Sequence, residues 1–441
     1  MGEAGEAPKS WSAMPMAGKG VDTDWVARFG GRDLKALVSE AYEANLDLKV
    51  ASARVERAAV LARASGHAAK PRVNAVLNGS RDKRNFVGFP FGGVANNITN
   101  NYGAQLSMSW ELDLWGRIRA GQRAALADLD AQGQQYRAAR ASLAAQVVRA
   151  WLVVAELNGQ IKLAEQALQT LTDTAELVRG RFQRAVAGMQ ATASQVRLAM
   201  VDVQTARANL AARQAERDQA MRQLEVLLGR YPSAKIVGAS ELPALKSMPP
   251  AGLPSELLLR RPDILAAERR FAAIGARRRE AKLAFFPSFS LTGSGGRSTE
   301  QLGDISDSDF GIWTIAGQLA QPILSGGQLT TNLDARTAEE KEALANLQKV
   351  VLQGFQEVES ALESDHYLMY RVTSTQKAAL LARDAEASAR QEFSRGTADV
   401  LTLLAATNAA IELDSQALTL RRVRLDNRIN LHLALGGDYN P

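Results

Sequence analysis

The chain has 441 residues, 46% of them hydrophobic, and its 53 basic and 47 acidic residues give a net charge of +6. It contains no cysteine, which excludes a disulfide framework, a thiolate metal site and a cysteine nucleophile. The small positive excess is spread along Ala-rich segments beside Glu and Asp, which is typical of solvated helical faces and argues against a nucleic-acid-binding surface.

The N-terminal segment, residues 1–45, begins MGEAGEAPKSW and has no charged region followed by an apolar core. We therefore expect either a cytosolic protein or a mature form whose leader is removed. The sequence has no run of about 18 consecutive apolar residues, so it predicts no transmembrane helix.

Proline placement predicts long helices. None of the 13 prolines falls within 91–231 or 323–440, and a proline in a helix interior costs about 3 kcal/mol. Prolines are instead concentrated within 232–262, which marks residues 231–256 as a linker.

The linker separates two similar repeats, 46–230 and 257–441, and a duplication of one unit is the natural interpretation. Each repeat has the order helix, strand, strand, long helix, turn, long helix. The predicted elements are strands at about 73–82 and 102–114 with a helical hairpin at 117–230, and strands at about 287–297 and 311–324 with a helical hairpin at 328–435.

The long helical segments carry apolar residues spaced by three and four, which is typical of coiled-coil packing. The stripes comprise Leu157, Ile161, Ala164, Leu168 and Leu171 in the first repeat, and Leu344, Leu347, Val351, Phe355, Val358 and Leu362 in the second. At about 1.5 Å per residue, the run 329–394 would be about 100 Å long, over twice the depth of a bilayer. Because these helices are also highly charged, we expect them to stand in water.

All four strand segments alternate apolar and polar residues with a period of two. This pattern is typical of a soluble sheet with one face on a core, or of a lipid-facing barrel. The helices pack on each other and offer the sheet no apolar face, which favours the barrel. The candidate membrane-interface aromatics are Tyr102, Trp110, Phe285, Phe286, Phe310 and Trp313. The stretch NNITNN (96–101) is predicted as a polar loop outside the membrane.

Four strands cannot close a barrel, and an open sheet edge is not tolerated in lipid. The barrel interpretation therefore requires an oligomer: a dimer would give eight strands and a mostly filled interior, and a trimer twelve strands with room for a pore. Gly116 in the first repeat, and Pro322, Gly326 and Gly327 in the second, are predicted to mark the junction where each strand passes into a helix.

Four sequence segments, in order, carry a family likeness: WELDLWGRIRA (110–120), LLLRRPDILAAERRF (257–271), AFFPSFSLTGSGG (284–296) and QPILSGGQL (321–329). WVARFGGRDLKALVSEAYEANLDL near the start and ALGGDY near the end extend it over nearly the whole chain. The chain resembles the TolC-like outer membrane efflux proteins, most of all their NodT/OprM-type lipoprotein branch.

The resemblance implies an α+β membrane protein that assembles as a homotrimer. Its 12-stranded outer membrane β-barrel would continue into a long periplasmic α-helical barrel, with residues 1–45 and 231–256 in an equatorial belt. Such a protein is no enzyme and needs no cofactor. It is the passive exit duct of a tripartite efflux pump, bound to outer membrane lipid, a periplasmic adaptor and an inner-membrane transporter of the resistance-nodulation-division type. Members of this branch begin at a lipid-carrying cysteine, which this sequence lacks, so we expect no lipid anchor on it.

The resemblance also points to a constriction at the periplasmic end. Related channels often carry a ring of Asp there, in a stretch similar to LTLLDAQ. Here LTLLAA places Ala405 at the matching position, and Ser194 is the match assigned in the first repeat. Leu401 matches an apolar ring of relatives, so a hydrophobic constriction is expected. Asp399 is close enough to contribute, although a turn residue is the simpler interpretation.

The two turns of the helical hairpins, near 183–190 and 395–401, are predicted to dock the adaptor. The candidate docking residues are Arg184, Gly188, Arg395, Gly396 and Thr397.

Two alternatives to an efflux duct are a soluble coiled-coil scaffold whose strands form a cap domain, and the outer membrane component of a type I secretion system. An enzyme finds no support in a dinucleotide fingerprint, a P-loop, an HExxH motif or a nucleophile elbow. The acidic group Asp304, Asp307 and Asp309 fits turn residues better than a cation site.

Overall fold

The computed structural model describes residues 11–13, 24–87, 94–184, 192–249 and 254–437. These form two compact units. The helical unit contains the described residues of 1–53, 134–265 and 349–441, and the sheet unit contains those of 54–133 and 266–348. Each unit takes segments from both sequence repeats, so the compact units do not coincide with the repeats.

The helices recur in length from one repeat to the other, as expected for a duplicated unit. The pairs are α2 (Leu46–His67) and α6 (Pro262–Leu283) with 22 residues, α3 (Arg117–Arg184) and α7 (Gln328–Arg395) with 68, and α4 (Ala193–Leu227) and α8 (Val400–Ala434) with 35. Two shorter helices, α1 (Ala27–Ala44) and α5 (Pro254–Arg260), precede α2 and α6, and α1 is kinked at Gly31.

The four strands form one antiparallel sheet in the order β1-β2-β3-β4. Their bounds are β1 (Arg72–Val87), β2 (Val94–Leu112), β3 (Ser288–Thr299) and β4 (Gly311–Ala320). The 3-10 turns Leu302–Ser306 and Ser308–Phe310 connect β3 to β4.

The prediction of a polar loop at 96–101 is wrong. Every residue of NNITNN belongs to β2 and faces a partner in β1, from Asn96 opposite Asn85 to Asn101 opposite Ser80. The cross-strand ladder satisfies backbone groups that a loop would leave to water. β4 is shorter than predicted, because Pro322 has no N–H to donate to a ladder.

The register of the sheet puts most of the apolar side chains of the four strands on one face. Leu106 lies opposite Ala75 of β1 and Gly295 of β3, and Gly295 in turn lies opposite Trp313 of β4. The apolar face comprises Val73, Ala75, Leu77, Ala104, Leu106, Met108, Trp110, Leu112, Phe289, Leu291, Trp313, Ile315 and Leu319. It is open in the single chain, since Leu77 is 83% exposed and Trp313 78% exposed.

The core of the helical unit is built from the apolar stripes of its helices. The largest cluster packs Trp25 and Leu34 against Leu152, Leu224 and Ile429, all fully buried. Each such side chain contributes about 1.5–3 kcal/mol on burial. Among the described residues, one helix, within Arg117–Gln183, is long and apolar enough to cross a membrane by length and composition. However, 56% of its most apolar window is buried in the protein, as in a core helix.

Candidate functional site

The first strand-to-helix junction is capped by Asp113. Its carboxylate accepts hydrogen bonds from the backbone nitrogens of Ile118 at 3.0 Å and Arg119 at 2.9 Å. Arg119 also donates from Nε to the same carboxylate at 3.1 Å. Gly116 has a φ of +82°, which favours glycine, and this lets β2 pass into α3 within four residues.

The second junction uses glycine without a carboxylate cap. Gly326 and Gly327 have φ values of +57° and +83° before α7 begins. Counted back from the first residue of each long helix, Leu324 stands where the first repeat has Asp113, and it is 93% exposed. Pro322 lies between the end of β4 and this turn. Both junctions therefore use glycine at positive φ. They differ in whether a carboxylate accepts hydrogen bonds from the free backbone N–H groups at the start of the helix.

Two of the candidate interface aromatics lie on the side of the sheet that carries the apolar face, toward opposite ends of it. Tyr102 lies opposite Gly79 in β1, and Trp110 donates from Nε1 to the Ala69 carbonyl at 2.9 Å. Eight residues separate them on one strand, about 27 Å at about 3.4 Å per residue, close to the roughly 25 Å height of an outward apolar band. Trp313 lies level with Leu106, between these two positions, and Phe310 ends the 3-10 turn before β4.

The turn between α7 and α8 is built from two capping motifs. Gly396 has a φ of +82° and donates to the Phe393 carbonyl at 3.1 Å, while Thr397 donates to the Glu392 carbonyl at 3.0 Å. These bonds form a Schellman motif that ends α7 after Arg395. Asp399 then caps α8 by accepting from the backbone nitrogen of Thr402 at 2.7 Å. That hydrogen bond lowers the pKa of Asp399.

The corresponding turn of the first repeat is only partly described. Arg184 is the last residue of α3, and Gly188 lies outside the described residues. Thr192 and Gln195 form a reciprocal capping box at the start of α4, in which the Gln195 nitrogen donates to Thr192 Oγ1 at 3.3 Å. Close to this end, the Arg181 guanidinium lies 4.0 Å from the centre of the Phe393 ring.

The candidate constriction residues lie on the open face of α8. Leu401 is 52% exposed, and Ala405, one helical turn later, is exposed as well. The opposite face is the core of the hairpin ends, where Leu403 and Val178 are fully buried. Leu401 and Ala405 are therefore free to meet another surface without disturbing this core.

The structure corrects the match that assigned Ser194 to the position of Ala405. Counted from the helix caps Thr192 and Asp399, Ser194 corresponds to Leu401, and Leu198 corresponds to Ala405. The assignment failed because the number of residues between α3 and α4 is eight, four more than the number between α7 and α8. Leu198 is 42% exposed and so lies on an open face, as Leu401 does.

The acidic group near the 3-10 turns has a structural explanation. Asp307 accepts from the backbone nitrogen of Asp309 at 3.1 Å and caps the second turn. Nowhere in the described ranges do His, Asp or Glu side chains cluster in a way that could hold a metal ion.

Sequence reasoning missed the buried carboxylate of Glu225, near the end of α4. It accepts hydrogen bonds from the backbone nitrogens of Ala234 at 2.7 Å, Lys235 at 2.9 Å and Ile236 at 3.1 Å, and from the Ser233 hydroxyl at 3.2 Å. Burial raises the pKa of Glu225, but these four donors outweigh it and lower the pKa overall. Glu225 thus holds the start of the linker against the helices.

Curated relatives match the chain almost from end to end. The toluene efflux pump outer membrane protein TtgF of Pseudomonas putida is 29% identical over 441 residues, covering 100% of this chain and 90% of TtgF. The outer membrane protein OprJ of Pseudomonas aeruginosa is 30% identical over 440 residues, covering 98% and 90%. The cation efflux system protein CusC of Escherichia coli is 28% identical over 416 residues, covering 94% and 88%.

Solved channels share the fold over the same extent. The outer membrane channel OprN superposes with a TM-score of 0.92 at 25% identity, covering 99% of this chain and 98% of OprN. The open state of the Neisseria gonorrhoeae MtrE outer membrane channel superposes with a TM-score of 0.85 at 28% identity, covering 98% and 96%.

The family model described as outer membrane efflux protein matches residues 37–230 and 253–437. These two segments coincide closely with the two repeats and together hold all four strands and the long helices. The soluble scaffold considered from the sequence is thereby wrong, and an α+β outer membrane channel that is not an enzyme is confirmed. The chain belongs to the outer membrane efflux protein family.

Proposed function

We propose that this chain is the exit duct of a tripartite efflux pump and that it works as a homotrimer. The observation that carries the proposal is the four-stranded sheet with one apolar face and two open edges. β1 and β4 are the terminal strands, and every residue of β4 is exposed in the single chain. Unpaired backbone groups cost several kcal/mol each in lipid, so these edges must pair with another copy.

Three copies give the proposed ring of twelve strands. Eight strands leave an interior just wide enough to be filled by side chains, whereas a larger ring leaves a passage. The polar face of the sheet, which includes Gln105, Ser107 and Ser290, would then line that passage. Passive export needs no further chemistry from the duct.

The proposed partners are a periplasmic adaptor and an inner-membrane transporter of the resistance-nodulation-division type. The adaptor would dock at the turns that carry Arg184, Gly188, Arg395, Gly396 and Thr397. The relatives are named for toluene and for cations, so one fold serves chemically different cargoes. We place cargo selection in the transporter, and we favour efflux over type I secretion because the relatives described above are efflux proteins.

The proposed constriction is formed by apolar side chains at the hairpin ends. Leu401 and Ala405 of α8, together with Leu198 of α4, are exposed beside a tightly packed core, which is the arrangement that a ring between subunits requires. Asp399 is already used as a helix cap. Ser194 lies between the two residues of the capping box of α4 and is exposed.

The trimer and its pore can be tested together. The purified chain should have about three times the 47.5 kDa mass of one copy by light scattering, and it should conduct ions in a planar lipid bilayer. Because the chain has no native cysteine, cysteine pairs introduced on the edge strands β1 and β4 would show directly whether β1 of one copy lies beside β4 of another.

Cysteine at Ala316 of β4 should crosslink to cysteine at one of Asn74, Val76 or Asn78 of β1 and produce covalent dimers and trimers. The matched control pairs Val76 with Thr292, which lie two strands apart within one sheet and should not crosslink. A monomer without conductance, or edges that never crosslink, would contradict the proposal.

A further inference from the structure

The apolar face of the β1–β2 hairpin changes character at the end away from the helical junctions. Along β1, the residues on this face are Val73, Ala75, Leu77, Gly79, Arg81 and Lys83, in that order. Register assigns them to one side, because side chains alternate along a strand and Gly79 lies opposite Tyr102. The outward side therefore runs from apolar residues, past an aromatic, to two cations.

The two cations stand just beyond the aromatic position. Arg81 lies two residues and Lys83 four residues past Gly79, which is about 7 Å and about 13 Å along the strand. Interfacial aromatics occupy the headgroup level of a membrane, so charges at this distance lie among headgroups or directly outside them. Asn100, opposite Arg81 in β2, adds a side-chain amide to the same side.

Arg81 and Lys83 have no partner of opposite charge within the described part of the chain. Both side chains are exposed, and among the residues that the structure describes neither forms an ion pair. Arg297 differs, because its guanidinium donates to the Ile305 carbonyl at 3.4 Å and to the Ser306 carbonyl at 2.5 Å and so holds the turn before β4.

We propose that Arg81 and Lys83 form a binding site for the phosphate groups of an outer-leaflet lipid whose acyl chains lie on the apolar face below. The proposal rests on the outward-facing barrel proposed above. Two cations about 7 Å apart match a phosphate-bearing headgroup in charge, and their continuity with Leu77 and Val73 provides the surface for acyl chains. A trimer would carry three such sites, one on each β1–β2 hairpin.

The test uses the full chain in detergent and fluorescently labelled lipopolysaccharide as the probe. The variant R81A/K83A should bind it about 30-fold more weakly, since each basic residue near an anionic lipid surface contributes about 1 kcal/mol. The control is R84A, which removes one positive charge from the opposite face of the same strand and should leave binding unchanged. R81K/K83R keeps both charges and should retain binding.

Equal binding by R81A/K83A and the parent chain would overturn the proposal, as would an equal loss in R84A. Full displacement of the probe by millimolar inorganic phosphate would also overturn it, because a lipid bound through its chains resists a free anion. Ion conductance separates this result from the function proposed above. R81A/K83A should form pores like those of the parent chain, which also shows that the variant folds.

Discussion

Asn45 and Arg261 donate equivalent hydrogen bonds, each to the carbonyl at the end of the last helix of a repeat. Asn45 donates from Nδ2 to the Leu227 carbonyl at 3.0 Å, and Arg261 donates from Nη1 to the Ala434 carbonyl at 3.1 Å. Leu227 and Ala434 are the last residues of α4 and α8, whose final carbonyls have no partner within the helix. Each donor directly precedes the 22-residue helix that opens its repeat, α2 or α6, and ties the C-terminal end of the last helix of the repeat to that point.

Glycines complete both contacts. Gly229 and Gly436 have φ values of +69° and +75° and follow α4 and α8. A Cβ on Gly229 would lie 2.9 Å from the Ala44 carbonyl oxygen, and one on Gly436 would lie 3.1 Å from the Arg260 carbonyl carbon. The same close approach has thus been kept in both copies of the duplicated unit, although the donor is an amide in one and a guanidinium in the other.

Replacing Arg261 with alanine should destabilise the helical unit strongly. Arg261 is buried and pairs with Asp263 and Glu357, each at 2.6 Å. Breaking a buried pair costs about 3–5 kcal/mol, and we expect about 3 kcal/mol here because both carboxylates are half exposed and can be rehydrated. Asn45→Ala should cost about 1–2 kcal/mol through its lost hydrogen bonds. The urea midpoint of the helical circular dichroism signal measures both.

The neighbouring Arg260 is the control for Arg261. It is exposed, and among the described residues its one ion pair is with Glu256, at 3.1 Å and one helical turn away. Such surface pairs contribute about 0.3–0.5 kcal/mol, so Arg260→Ala should leave the urea midpoint nearly unchanged. Similar losses for Arg260→Ala and Arg261→Ala would contradict the role of the buried contact.

Local patterns predicted the parts of this structure that depend on local chemistry. Period-two alternation predicted all four strands, and glycine predicted the junction turns at Gly116 and Gly327, where φ is positive. The extension of β2 through the Asn-rich stretch could not be predicted in this way, because its pairing with β1 is a non-local contact. The match of Ser194 to Ala405 failed for a related reason, since turn length is not visible in helical periodicity. Glu225 was missed because its four donors come from the linker, and the prolines that mark a linker do not indicate which side chain it contacts.

Glu225 should make the helical unit sensitive to acid. Its folded pKa lies below the value of 4.5 for a free glutamate, so the unfolded chain takes up the proton first as the pH falls. The stabilisation is therefore fully present above about pH 4.5 and is lost as the pH drops below that value through the folded pKa. Glu225→Gln should be about 1–3 kcal/mol less stable at pH 7, because the amide has one acceptor oxygen instead of two and turns an N–H group toward buried backbone donors.

The dependence of the unfolding free energy on pH tests whether the ionised carboxylate of Glu225 stabilises the helical unit. Urea unfolding at several pH values between 7 and 3 should show a steeper loss of stability in the parent chain than in Glu225→Gln, so that the two curves converge in acid. Parallel curves would show that Glu225 does not titrate with folding.

Two adjacent glycines of β3 should differ sharply in their tolerance of alanine. A Cβ on Gly296 would lie 2.2 Å from the Ala104 carbonyl oxygen and 2.5 Å from Gln105 Cα, both backbone atoms of β2. One on Gly295 would have no atom within 4 Å. Gly296→Ala should therefore push β2 and β3 apart and lower the yield of folded oligomer several-fold, whereas Gly295→Ala should assemble normally. The oligomer band on unheated gels measures this, and equal yields would contradict the predicted clash.

The proposed constriction predicts that trimming one exposed leucine opens the duct without unfolding it. Leu401→Ala removes an apolar group that is 52% exposed and lies outside the core of the hairpin ends, so stability should change little while single-channel conductance rises. Leu403→Ala is the matched control: Leu403 is fully buried, and its loss should cost about 2–5 kcal/mol of folding stability.

Leu198→Ala tests the corrected match between the repeats, and it should raise conductance more than Ser194→Ala, which removes only a hydroxyl. If Leu401→Ala and Leu198→Ala both conduct as the parent chain does, the constriction lies elsewhere in the duct.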